Sequence, residues 1–203
     1  MKKYLLFFLI PALLCSPIRT VAQNIFAGGG AAVAIDKMVS SSSEFSSPST
    51  GFYAGAAFSS GIKAPLSVTG GLYYLHLFDR AVDDDNQASV ETYRYDALSI
   101  PVTMAVTLLT NHYSFSLYGF LGPSLEIGLS SRLIGQDREP VNLFSGEEGQ
   151  KRLGLYGQGG LGVISGHLML RAGYQRSITG LYRGNEDMKI GRGLWFLGAS
   201  VLF

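Results

Sequence analysis

The chain has 203 residues, a formal net charge of +1, 15% charged residues, 12% aromatic residues and 26 glycines. That is the length of one domain. The low charge carries no basic patch for nucleic acid, and it is poor in charge and rich in glycine and aromatics for a soluble protein.

Lys2 and Lys3 precede an apolar run over residues 4–14, and Thr20-Val21-Ala22 offers small residues for cleavage before Gln23. A run this short behind a basic front predicts a secretory signal peptide over 1–22, rather than a membrane-spanning helix or a buried N-terminal helix. Cys15 follows Leu14, where a lipid-attachment cysteine wants a small residue, so it goes with the removed segment. The mature chain, 23–203, then has no cysteine and no disulfide. Removing Lys2, Lys3 and Arg19 leaves 13 basic against 15 acidic residues, a formal charge of −2. No window after residue 22 offers 18 uninterrupted apolar residues, so no helix is expected to span a membrane. Such an exported chain is either a soluble β-protein or a closed transmembrane barrel.

Eight strands are predicted in order. The first covers 25–35, with Ile25, Ala27, Ala31, Val33 and Ile35 on one face. A serine-rich loop follows over 36–50, then a strand over 51–60, a turn over 62–65 and a strand over 66–78. Residues 79–91 are an acidic loop. The segments 93–108 (YRYDALSIPVTMAVTL) and 114–130 (SFSLYGFLGPSLEIGLS) form a hairpin about the turn Leu109-Thr110-Asn111-His112. With Thr110-Asn111 as a two-residue loop, Val106 faces Phe115, Met104 faces Leu117 and Ile100 faces Leu121. One face is apolar; the other carries Ser99, Thr103, Thr107 and Tyr118. Period-two alternation this long exceeds the usual 5–6 residues of a soluble strand and suits a tilted transmembrane strand. A third loop covers 132–152. Strands at 153–164 and 167–178 flank the turn Ser165-Gly166, which sets Gly157 beside Tyr174 and Gly160 beside Arg171. A fourth loop covers 179–192, and the last strand 193–203 aligns Trp195, Leu197, Ala199, Val201 and Phe203.

Connections alternate long and short without exception, and most acidic residues fall in the long ones. Aromatics such as Phe52, Tyr74, Trp195 and Phe203 lie near strand ends, where rings suit a bilayer interface. The predicted fold is all-β: an eight-stranded antiparallel up-and-down transmembrane β-barrel in the outer membrane, with short turns and both termini in the periplasm.

The segment YDALSIPV (95–102), then LYGFLGPSLEIG (117–128), GLYGQGGLGV (154–163) and the aromatic terminus Phe203 carry a likeness to a family. With these motifs the mature chain resembles the PorT-like outer-membrane β-barrel proteins of Bacteroidetes. The resemblance implies eight strands, outer-membrane location and, for most members, no assigned activity. One branch is associated with a secretion machine, and no residue here singles that branch out.

Barrels that trim lipid A need a serine or histidine with a carboxylate partner near the outer leaflet. His112 and His167 fall at short turns, and His76 points by parity to lipid or interface, as a plain interfacial histidine would. No nucleophile motif surrounds the serines. Asp83-Asp84-Asp85-Asn86 lacks calcium-hand spacing and reads as a solvated loop. Gly28-Gly29-Gly30 precedes no helix, so it marks tight strand packing rather than a phosphate loop. Catalytic, cofactor and metal residues are therefore not expected. Inward by parity lie Tyr118, Phe120, Tyr156 and Met169, with a polar network of Glu126, Arg171, Gln158 and Gln175. Glu126 belongs near the outer rim and Arg171 near the periplasmic side, so a direct pair is not expected. The expected role is a non-enzymatic surface or scaffold barrel presenting four loops. A secretion accessory, a lipid-modifying enzyme and a small-solute channel are the alternatives. Expected partners are outer-membrane lipid, the barrel-insertion machinery through the last strand, and a protein that the sequence does not identify, with no nucleic acid.

Overall fold

The computed structural model describes residues 24–40, 43–61, 64–82, 90–110, 115–135, 139–145, 149–181 and 189–203. The segment read as a signal peptide, the Asp83–Asn86 run, Asn111 and His112 lie outside the described residues. The strands are β1 (Asn24–Ser40), β2 (Ser43–Ser59), β3 (Leu66–Val82), β4 (Val90–Thr110), β5 (Phe115–Ile134), β6 (Val141–Asn142), β7 (Leu153–Ser165), β8 (Leu168–Ser177) and β9 (Lys189–Leu202). Each long strand pairs antiparallel with its sequence neighbour, and β1 pairs with β9, so the sheet closes on itself. The wall is an eight-stranded barrel; β6 pairs with β5 alone, beyond the wall at the long-connection end. Closure leaves no edge and satisfies the backbone within the ladder, as a hydrocarbon surrounding requires.

Period-two alternation decides the faces. Leu121, Leu197 and Trp195 point outwards and are 68%, 62% and 57% exposed, in a belt of similarly bare apolar side chains. A continuous apolar skin of this kind belongs against lipid. Inside, Phe26, Ala57, Tyr73, Tyr118, Phe120 and Met169 pack in the half near the short turns. Ala32, Leu75, Leu77, Tyr95, Phe144 and Leu194 fill the other half. Tyr118 needs its neighbour to be glycine: a Cβ on Gly162 would stand 2.2 Å from the Tyr118 ring.

Three expectations are corrected. The regions read as long loops are partly strand, because ladder pairing continues past the apolar belt whatever the side chains. β1 and β2 stay paired from Asp36↔Ser47 out to Ser40↔Ser43, β3 reaches Val82, and β9 starts at Lys189. The β4–β5 hairpin has Val106 opposite Gly119, Met104 opposite Leu121 and Ile100 opposite Leu125. Thr110 is itself a strand residue, paired with Ser116, and a register irregularity falls between Thr107 and Leu109. The connection is therefore longer than Thr110-Asn111. In the β7–β8 hairpin the turn is Gly166-His167, not Ser165-Gly166. Gly166 has φ +59° and, among the described residues, none other than glycine takes positive φ, so the glycine occupies the first central position, as in a type II′ turn. Arg171 accordingly faces Gly162 rather than Gly160, and Tyr174 faces Gly159 rather than Gly157. The β7–β8 hairpin, and the β4–β5 hairpin between its irregularities at Asp96/Ala97 and Thr107/Leu109, shift by an even number of residues, which leaves the side chains there on their expected faces.

Candidate functional site

The charged chemistry of the interior gathers at Arg192. Counting back by two from Phe196 and Leu194 on β9 points Arg192 inwards, and counting forward from Ala32 and Ala34 on β1 does the same for Asp36. The β1–β9 register places the two opposite each other. The guanidinium grips Asp36 bidentately, Nε to Oδ1 at 2.7 Å and Nη2 to Oδ2 at 2.8 Å. Nη2 also donates to the Tyr93 hydroxyl at 3.1 Å, and the plane stacks 4.2 Å over Tyr95. Nη1 stands 3.7 Å from Glu126 Oε1 without hydrogen-bond geometry, and it has no other partner among the described residues. Arg192 is 2% exposed and Glu126 1%.

Glu126 is held by donors from three other strands. Tyr95 donates at 2.8 Å, Tyr156 at 3.0 Å and the Gln175 amide at 3.4 Å. A carboxylate so surrounded replaces its lost water with hydroxyls and one amide, which is how a buried charge is tolerated. Phe144, carried inwards on the β5–β7 connection, covers Gly128, packs on Tyr95 and lies 4.9 Å beneath Arg152. Together these groups fill the bore near its long-connection end.

The four residues expected to form a polar network divide. Glu126 and Gln175 bond directly. Gln158 and Arg171 line a cavity of about 60 Å³ that also reaches Glu126 and Gln175, and neither bonds to Glu126. Arg171 stacks 4.2 Å over Phe120 in the half near the short turns. Sequence reasoning missed Arg192 and Asp36 because both were left in loops. The period-two count extended by one step finds them.

On the outer face, His76 Nδ1 lies 2.7 Å from Asp96 Oδ1, and the Tyr74 hydroxyl donates to the same oxygen. His76 therefore has the carboxylate partner that the sequence did not reveal. Its ring is flanked by Phe52 at 5.3 Å and Phe78 at 6.0 Å, and among the described residues no hydroxyl or thiol bonds its other nitrogen.

A closed eight-stranded antiparallel barrel with an apolar outer skin and a filled polar interior is an outer-membrane barrel. The chain matches the outer membrane protein beta-barrel domain over residues 8–200 and belongs to that family. Among solved structures, Neisserial surface protein A is 15% identical with a TM-score of 0.53, the match covering 88% of this chain and 97% of that one. Ail, the attachment invasion locus protein of Yersinia pestis, is 14% identical at a TM-score of 0.49 (89% and 99% covered). The outer membrane enzyme PagL is 11% identical at 0.45 (84% and 98% covered). The likeness to Neisserial surface protein A shows the fold alone. Among curated proteins no sequence matches this chain.

Proposed function

We propose that this barrel is a non-enzymatic outer-membrane protein whose long connections face outwards as a binding or scaffolding surface, anchored by a wall with no open bore. The supporting observation is Arg192, 2% exposed and set between Asp36 and Glu126 inside the barrel. A pore would need that position open to water. With the interior committed to packing, specific recognition falls to the connections. Residues 1–22 serve as the removed export signal in this reading. Pull-down from native membranes tests it: the intact protein should retain a partner that is lost when residues 139–149 are replaced by a short glycine-serine link. A partner retained equally by both forms would move recognition away from that connection.

Within the family, YDALSIPV and LYGFLGPSLEIG support a PorT-like relationship. That relationship admits a role beside a secretion machine, which crosslinking in native membranes would detect. The His76–Asp96 pair favours a second reading, lipid modification at the membrane interface. A carboxylate-oriented imidazole can serve as a general base. Its two flanking phenylalanines and the lack of a bonded nucleophile among the described residues weigh against it. An unchanged lipid A profile in a deletion strain would dismiss that reading.

A further inference from the structure

We propose that Arg171 holds a small monovalent inorganic anion, of chloride size, inside the half of the barrel near the short turns. Arg171 lines two cavities, of about 60 Å³ and about 20 Å³. Either volume exceeds what one water needs, about 10–15 Å³ on this measure.

Three of the groups that face these cavities are buried polar atoms without a hydrogen-bond partner among the described residues. Arg171 Nε is buried without a partner, as are the Gln158 amide nitrogen and the Tyr118 hydroxyl. Tyr118 is 7% exposed and lines the smaller cavity; Gln158 lines the larger. The phenols of Tyr53, Tyr73 and Tyr118 and the face of Phe120 are among the neighbours of Arg171. A phenol is neutral at physiological pH and balances no charge. The carboxylate that reaches the larger cavity, Glu126, is already engaged by Tyr95, Tyr156, Gln175 and Arg192. Six residues of β9 separate the Arg192 level from Gly198, opposite Arg171, roughly 20 Å of strand. The Arg171 side chain is half-buried with its Nε fully buried, and among the described residues no carboxylate bonds to it, so its charge is incompletely compensated. An acceptor carrying one negative charge in the smaller cavity, accepting from Arg171 and the Tyr118 hydroxyl, removes that deficit. Water would satisfy the donors but leave the charge unbalanced.

The test uses the full mature barrel in lipid vesicles at constant ionic strength, with chloride or bromide exchanged against gluconate, which is too large for either cavity. At ten times the dissociation constant, linkage shifts the folding equilibrium about 11-fold in favour of the barrel. The expected result is a saturable gain of that kind with chloride and bromide in the wild type. The gain should be absent in Arg171→Met and retained, with altered affinity, in Arg171→Lys. Crystals grown in bromide should show anomalous scattering beside the Arg171 guanidinium. Stability equal in chloride and gluconate, an identical anion effect in Arg171→Met, or a lumen without bromide scattering overturns the proposal. Ordered water alone would then fill the cavities. Should Arg171→Met fail to fold, the bromide scattering of the wild type decides.

Discussion

Arg192→Met is the most informative single change. It removes the guanidinium from between two carboxylates and leaves an unbranched apolar side chain in place of the arginine stem. Breaking a buried ion pair by deleting one partner costs about 3–5 kcal/mol. Two features draw the expectation to the lower end. Asp36 keeps 21% side-chain exposure and can recruit water, and Glu126 retains the Tyr95, Tyr156 and Gln175 donors. We expect about 3 kcal/mol, a fall of roughly 150-fold in the folding equilibrium. Asp36→Asn should cost about 2 kcal/mol, since its amide oxygen keeps one bond without the charge while its NH2 group cannot accept the other. The two residues touch, so the double variant should cost less than the sum of the singles by about 1–2 kcal/mol. Urea titration in lipid vesicles, read by the folded and unfolded bands on an unheated gel, measures all three. Arg192→Met within about 0.5 kcal/mol of wild type, or strict additivity in the cycle, would refute the reasoning.

The remaining expectations concern the barrel as a whole. A closed wall with no free edge resists detergent until heated, so boiled and unboiled samples should migrate differently, and identical migration of freshly extracted protein counts against closure. Phe203 donates its amide to Ile25 O at 2.8 Å and leaves its ring 78% exposed, so deleting it should lower the folded yield in the outer membrane; unchanged insertion would free the last strand from that role. Cysteines at Ser43 and Gly146 should react with an impermeant reagent on whole cells and one at Asn111 should not, while labelling at Asn111 alone would invert the topology. Planar-bilayer recordings of the wild type should show no steady conductance, because Arg192, Glu126 and Phe144 occupy the bore; stable open-channel currents would show that they move aside.

What the sequence made legible follows from how each feature is encoded. Faces were readable because they depend on parity. Met104, Leu121, Leu161 and Leu170 point outwards whether a hairpin closes on one turn or another, since the registers differ by even steps. Registers were not readable, because they depend on a bulge at Leu108 and on which side of Gly166 the turn falls. The His76–Asp96 contact was hidden for the same reason. Both residues sat in predicted strands, but only the β3–β4 register puts them opposite each other. Phe144 carries no periodic signal at all: a two-residue strand and an Asn142 side chain accepting its amide at 3.0 Å turn it inwards. Arg192 and Asp36 were misplaced because polar sequence was taken as the end of the strand, although the ladder persists beyond the apolar belt.

The position of the Arg192–Asp36 pair explains why a barrel would carry so expensive an interaction. Hairpin registers are set locally, by turns that join the two strands. The seam between β1 and β9 has no such turn; the paired residues Asp36 and Arg192 are 156 positions apart in sequence. Side chains must therefore fix its register. A slip of one residue would send Arg192 to the lipid face, and a slip of two would set it against Ala34 or Met38 instead of Asp36. The glycines of β1 reinforce the same alignment: a Cβ on Gly28 would lie 2.1 Å from the Ala199 carbonyl oxygen, and one on Gly30 2.0 Å from that of Leu197. Bulkier residues brought to those places by a slip would collide with the β9 backbone. An apolar pair in place of Arg192 and Asp36 could match their stability, as buried ion pairs often allow. It would accept Ala34 or Met38 as readily as its partner, whereas the forked guanidinium accepts a carboxylate at one register.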